Sequence, residues 1–535
     1  MLVYGALGGP LPEVGIVAAA ALAAVVMLHP DVRVQALAML GALVLAPVLL
    51  LAGIWHSPQL GVVHRHPLVA AAGAVIALAA VVGAGLVVVR WPELLACAVV
   101  VALPFRIPIQ AGGVTSNLLV PLYFVVAAGS VAFIVTGLRG RPPPGTGAPV
   151  GNAPHAAGDG TPPASNSRLP ARHGPARWLE WLLAGYVVLY ALQAAYSPKF
   201  TTALQQVVFF YVPFALAYCL LRRLDWTQRV TRTCLALVVG LAVVFAVVGF
   251  IEYETKTIFL NPKLIAANQV HAYFTVNSVF FDPNIFGRFL ALVMILLGAV
   301  VLYACRRQTL LITLAVLAVL WVALLLTLSR SSFGALLVGL GALAALRWRV
   351  GRAVFAAAGV VALAAAAIAI SPTTFGLNQG LNGASSGRPG LVSGGIDLFA
   401  ARPLWGYGSG SFETEYSAHH HQIGQTLSAS HTIPITIAAE QGLIGGLVYI
   451  ALVLAVLVVL LQRCRAEPAR VAIAAAFIAL LFHTLLYADF LEDPITWTLL
   501  AIGTALALRP GGGPDSVRGD AQHLARDREL QRQLA

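Results

Sequence analysis

Three arginines and a histidine in the second half of the chain stand where packing alone gives them little to do. Arg330 lies between two apolar runs, in Leu328-Ser329-Arg330-Ser331-Ser332. Arg388 and Arg402 fall in the polar stretch 371–430, and His431 opens the apolar run that follows it, in Ser430-His431-Thr432-Ile433-Pro434. A guanidinium at the lip of a membrane span is costly unless it is hydrated, paired or bound to an anion. Its fixed charge and donor fork match phosphate oxygens. A neutral imidazole at a helix N-terminus is favoured by the dipole and can accept a proton, and Ser430 is a candidate N-cap. The chemistry these types suggest is a phosphate held at a membrane surface beside a general base. The plainer reading of Arg330 is an interfacial anchor.

Other residues are less specific. Arg288 follows Phe281-Asp282-Pro283-Asn284 by one helical turn, and snorkelling to headgroups accounts for it as well as ligand binding does. Asp282-Pro283 reads as a cap and rigid turn at a helix start. In Arg402-Pro403-Leu404-Trp405-Gly406-Tyr407-Gly408-Ser409-Gly410 the glycines permit backbone shapes closed to other residues and a close approach to a ligand. That run lacks the lysine and flanking pattern of a nucleotide loop. His419-His420-His421 are adjacent, so they do not point to a common centre, and no metal is expected. Glu440 is too far along its helix to pair with His431 and is assigned to neighbouring polar groups. Asp489, Glu492 and Asp493 add carboxylates able to orient a base or bind hydroxyls. Arg288, Arg402, Tyr407 and Asp489 are the candidate substrate-binding residues; His431, Arg330 and Arg388 are the candidate catalytic ones.

The elements that must position these groups are membrane helices. Of 535 residues, 59% are apolar and 10% charged, against about 25% charged in soluble chains, and mean hydropathy is +0.85. Spans are expected near 12–29, 34–54, 67–89, 91–105, 115–138, 178–196, 203–221, 231–251, 284–304, 309–328, 331–346, 351–370, 431–460, 470–487 and 495–508. Three of them, 91–105, 331–346 and 495–508, fall short of the roughly 20 residues a crossing needs. The fold class is therefore all-α, a polytopic transmembrane helical bundle of about 12–15 spans with one large extracytoplasmic loop.

The net charge of +12 points to cytoplasmic Arg and Lys rather than to nucleic acid. Basic clusters at 139–177, 222–232, 306–307, 347–352 and 463–470 recur after every second apolar segment. One topology puts them all in the cytoplasm and 252–283, 371–430 and 488–494 outside. The five cysteines lie in or beside apolar segments, so no external disulfide framework is expected, nor is a cleavable signal peptide. Six regions follow: N-terminal membrane helices 1–138, a Pro/Gly/Ala/Ser-rich cytoplasmic linker 139–177, central helices 178–370, the loop 371–430, C-terminal helices 431–508 and a cytoplasmic tail 509–535.

In order and spacing, Phe281-Asp282-Pro283-Asn284, Leu328-Ser329-Arg330-Ser331-Ser332, Arg402-Pro403-Leu404-Trp405-Gly406-Tyr407-Gly408 and Ser430-His431 with Glu440-Gln441-Gly442-Leu443-Ile444-Gly445 resemble the O-antigen ligase and polymerase superfamily of bacterial envelope proteins. The resemblance covers about residues 280–450. It implies a multi-pass inner-membrane enzyme that transfers a glycan from undecaprenyl pyrophosphate to a lipid, a growing glycan or a protein on the extracytoplasmic side. By the same resemblance Arg330 and Arg388 match arginines that engage the donor diphosphate, and His431 matches the histidine that activates the acceptor hydroxyl. The family usually has asparagine where this chain has Thr432, which loosens assignment to a branch. The chemistry needs no cofactor and no metal, and predicts inversion at the anomeric carbon. The expected partners are the lipid-linked donor, the acceptor and membrane lipids, and not nucleic acid. A transporter or flippase of an anionic or lipid-linked solute is the alternative, favoured by mid-span charges and paired repeats; a non-catalytic envelope scaffold is a third reading.

Overall fold

A computed structural model describes residues 11–55, 61–111, 114–140, 174–259, 264–265, 268–269, 274–348, 388–420 and 432–509. The expected span at 351–370, most of the linker and tail, His421 and His431 lie outside the described residues, as does the side chain of Arg388.

The described chain is helical apart from one hairpin. In order it forms α1 (Leu11–Leu28), α2 (Val32–Ile54), α3 (Gly61–Arg65), α4 (Pro67–Arg90) and α5 (Glu93–Ala102). Then come β1 (Ile107–Ala111), β2 (Val114–Leu118), α6 (Val120–Leu138), α7 (Pro175–Ala194) and α8 (Phe200–Arg222, with a π-helical turn over Val207–Tyr211). They are followed by α9 (Gln228–Thr255), α10 (Pro283–Tyr303), α11 (Arg307–Thr327), α12 (Arg330–Arg347), α13 (Arg388–Ala401) and α14 (Phe412–His420). The last three are α15 (Ile433–Leu461), α16 (Pro468–Thr484) and α17 (Pro494–Ala507). Among the described residues, nine helices are long and apolar enough to cross a membrane. The protein is a polytopic helical membrane protein.

Capping residues set the helix starts. Asp282 accepts from Asn284 N at 2.6 Å with Pro283 in the first turn, and Asp493 accepts from Ile495 N at 3.1 Å ahead of Pro494. Each places a carboxylate where unpaired N–H groups and the positive dipole end need one. Proline at these positions loses no intrahelical bond. The expected span at 115–138 begins later, because residues up to Leu118 pair antiparallel with Ile107–Ala111. The ten-residue α5 before it is by itself about half the length of a crossing.

The basic clusters converge on one end of the bundle. Arg223 Nη2 donates to Gln35 Oε1 (2.7 Å), Arg465 Nη2 donates to the Ala345 carbonyl (3.2 Å), and Arg509 lies 3.9 Å from Glu467. Arg222 pairs with Glu180 at the same end. The starts of α10, α12, α15 and α17 and the ends of α7, α9, α11 and α16 therefore lie at the opposite end. The core here is α12 packed on α10 and α16, with α15 against α7. At Gly339 a Cβ would come within 2.9 Å of Ala479 Cβ, so this glycine lets α12 and α16 touch. The α4 helix faces outward almost entirely, with Leu68 84% exposed, an apolar face suited to lipid.

Candidate functional site

Two structures at the end away from the arginine clusters hold the residues singled out from the sequence. The first is the tight turn between α11 and α12. Leu328 ends α11 in a left-handed conformation (φ 51°), and Ser329 caps α12 by accepting from Ser332 N. Arg330 is the first residue of α12 and is exposed. Its neighbours are not: Ser329, Ser331 and Ser332 are buried and hydrogen-bonded to one another and to α10. Ser329 Oγ donates to Asn284 Oδ1 at 2.8 Å, and Ser332 Oγ donates to the Asn284 carbonyl at 3.3 Å. His483 closes the network, its Nε2 lying 3.2 Å from Ser331 Oγ and 3.4 Å from Ser332 Oγ. The turn that presents Arg330 is thus fixed by buried polar contacts on both sides, which orders the guanidinium's base before any ligand arrives.

His483 was not among the sequence candidates. It is fully buried near the end of α16. The signal that could have found it is an ionisable residue inside an apolar helix. Two residues on, Leu485 accepts a hydrogen bond from Thr432 Oγ1 at 3.2 Å. The residue after His431 and the residues flanking Arg330 are therefore tied to the same end of α16.

Arg288 is not at the lipid-facing surface where snorkelling would put it. It is 1% exposed, its Nη2 lies 2.9 Å from Asp493 Oδ2, and Nη1 donates to the Asp489 carbonyl at 3.3 Å. The Asp493 contact is close enough for strong Coulomb pairing although off the line of a hydrogen bond. Arg288 thus locks the loop between α16 and α17 onto α10. Asp489 adopts φ 73°, a conformation non-glycine residues rarely take. Burial pushes the neighbouring Glu492 carboxyl up to about 8, reinforced by the negative charges of Asp489 and Glu440. Glu492 therefore retains a proton at neutral pH. Tyr487 sits among Asp282, Asp489 and Arg288; burial, then the two carboxylates, hold its phenol well above the usual range.

The second structure is the glycine-rich run, whose role differs from the expected ligand loop. It packs against a break in α15, where Gly442 (φ 64°, ψ −161°) separates two helical pieces. Tyr407 N donates to the Ala439 carbonyl (3.2 Å), Gly408 N to the Glu440 carbonyl (2.8 Å), and Leu443 N to the Pro403 carbonyl (2.7 Å). A Cβ on Gly406 would overlap the Glu440 carbonyl, and one on Gly408 would lie 2.6 Å from Ser197 Cα. These glycines bring backbone to backbone, not backbone to phosphate. Glu440 serves the neighbouring polar groups as expected, accepting from Gly410 N (2.9 Å) and Phe412 N (3.0 Å). It thereby caps α14.

Arg402 and Tyr407 come together, the guanidinium carbon 4.3 Å above the ring. Tyr407 OH lies 3.3 Å from His419 Nε2, and His420 stacks on Tyr416 at 4.4 Å between ring centres. The short helix α13 packs through Leu391 and Leu398 against Tyr407, Phe412, Tyr416 and Ala439. Among the described residues, no group of three His, Cys, Asp or Glu is arranged to hold a metal.

Residues 314–450, roughly a quarter of the chain, match the family model described as O-antigen ligase. No curated protein matches the chain. The matched segment contains Arg330, Arg388, Arg402, Tyr407 and His431, and leaves Arg288 and Asp489 outside it. The chain is thus a multi-pass helical membrane protein whose residues 314–450 are similar to the O-antigen ligase family.

Proposed function

We propose that the protein is a metal-independent, inverting glycosyltransferase that moves a glycan from an undecaprenyl-pyrophosphate carrier to a lipid, glycan or protein acceptor at the extracytoplasmic face of the inner membrane. The observation that carries this reading is the shared anchorage on α16: His483 bonds the serines flanking Arg330, and Leu485 bonds Thr432, the residue after His431. A cation whose turn is anchored on one helix end, and a base next in sequence to Thr432 anchored there too, can act on one bond. The arginine-rich connections at the other end argue that this face points out of the cytoplasm.

In the proposed reaction the acceptor oxygen attacks the anomeric carbon as the bond to the carrier's pyrophosphate breaks. His431 takes the hydroxyl proton, and Arg330 with Arg388 balances the charge developing on the departing diphosphate. A single displacement inverts the anomeric centre. Arg402 and Tyr407 are proposed to contact the glycan. Arg288 and Asp489 support the site from behind, by holding the 485–493 loop on α10. Against the transporter reading, the buried charges Glu180, Glu252 and Arg288 lie within the first or last two turns of their helices, and Glu440 lies just past the second turn of α15, beside the break at Gly442, where a transport pathway would place them near mid-span.

The test is transfer of a lipid-linked glycan by the purified protein in proteoliposomes, with Arg330→Ala, Arg388→Ala and His431→Ala beside it. Each substitution is expected to lower transfer on the order of 100-fold or more, as losing a general base or a charge stabiliser does. Chelator is expected to leave the rate unchanged, and the product linkage to be inverted. Transfer unaffected by all three substitutions would remove the assigned site.

A further inference from the structure

The molecule holds a recess with a lysine in its wall that the proposed transfer chemistry does not use. Its described lining comes from the end of α9, from Thr257, Ile258, Ile265, Asn268 and Phe274, and from the last turn of α11, and it encloses about 850 Å³. Its walls are largely apolar, with Ile258, Phe274, Leu326 and Leu328 among them. Among the described lining residues, Lys256 carries the one charge. Lys256 caps α9 in a left-handed conformation (φ 53°), and its Nζ lies 3.5 Å from the centre of the Tyr253 ring and 5.1 Å from that of Phe274. The two aromatic rings hold the ammonium by cation–π attraction. Asn268 is engaged with the Thr275 backbone at 2.9 and 3.0 Å, which shapes the wall instead of offering a ligand contact.

We propose that this recess binds the phosphate headgroup and first chain segment of an anionic membrane lipid, with Lys256 on the phosphate. Three features argue for a lipid over free phosphate. The recess is formed where two spans, α9 and α11, end at the same side of the bundle, so it stands at headgroup depth. Its volume lies within the range of small-molecule pockets. Free phosphate would leave the leucine, isoleucine and phenylalanine wall wet, whereas a lipid covers it. Leu328 of its wall belongs to the turn that presents Arg330, so the recess borders the proposed transfer site, while Lys256 has no part in that chemistry.

The experiment reconstitutes the full chain in phosphatidylcholine vesicles with diazirine-tailed probes, one with a phosphatidic acid headgroup and one a neutral diacylglycerol. Cross-linked peptides are mapped by mass spectrometry. The anionic probe is expected to label the peptides around Lys256 and Leu326 about fivefold more than the neutral one, the equivalent of ~1 kcal/mol for one basic residue at a membrane surface. Lys256→Gln, which keeps the backbone requirement similar, is expected to erase the preference, and Lys256→Arg to keep it. Equal labelling by the two probes, or a preference that survives Lys256→Gln, overturns the proposal. So does loss of the preference on adding millimolar inorganic phosphate, because the recess would then take the free anion.

Discussion

Replacing Gly442 by alanine is expected to separate the glycine-rich run from α15. The residue sits at φ 64° and ψ −161°, a region essentially restricted to glycine, and forcing a side chain there costs about 1–3 kcal/mol. The added Cβ would also overlap the Leu404 carbonyl. Relief requires the loop to move off, which loosens the backbone bonds Tyr407–Ala439, Gly408–Glu440, Leu443–Pro403 and Ile444–Leu404. Each is worth about 1 kcal/mol net, so with the strain the combined loss is about 5–7 kcal/mol. Gly446→Ala is the control: it is in the same helix, nothing stands within 4 Å of its Cβ, and helix propensity favours the alanine by up to about 1 kcal/mol. The assay is unfolding of the purified protein in mixed micelles as denaturing detergent is raised, followed by helicity, alongside thermolysin cleavage of the Leu404–Trp405 stretch. Gly442→Ala should unfold early and be cleaved fast, with Gly446→Ala at or above wild type. If the two variants behave alike, the loop is not held by the break in α15 and the account of these glycines is wrong.

Arg288→Met should destabilise the protein by about 3–5 kcal/mol, because it leaves the buried Asp493 carboxylate without its partner, and the double variant Arg288→Met/Asp493→Asn should recover much of that; denaturation midpoints of wild type, Arg288→Met, Asp493→Asn and the double variant test this. His483→Ala should cost about 1–3 kcal/mol by stranding the Ser331 and Ser332 hydroxyls and should lower transfer more than it lowers folded yield, which activity per folded molecule would reveal. Glu492, raised to about 8, binds a proton in the folded state that the unfolded chain releases above the ordinary carboxylate range. Stability should therefore fall as pH rises from about 5 to about 8, and Glu492→Gln should flatten that slope. A wild-type slope of the opposite sign, or one unchanged by the substitution, contradicts the assigned burial.

Local chemistry carried far into this fold. Hydropathy alone marks α10 and α11 within a residue or two of their observed ends, since a span must satisfy its backbone internally. Asp282-Pro283 reads as a cap because capping depends on neighbours in sequence. The periodic arginines likewise mark one common end, a property of loop composition. The Ser329-Arg330-Ser331 turn and the Arg402-to-Gly410 run are also visible as motifs.

What those motifs do was decided by contacts between residues far apart in the chain. Arg288 and Asp489 are 201 residues apart, and Ser331 and His483 are 152 apart. No local period encodes which helix faces meet. Glycines 406 and 408 look like a ligand loop in sequence and prove to be a seam against α15, because only packing shows what a Cβ would strike. Sequence determined the solvent, the spans and their ends through transfer free energies that each residue carries with it. Tertiary structure decided which charges are neutralised in the interior and which stay at the rim, since pairing depends on where helices separated by hundreds of residues come to rest.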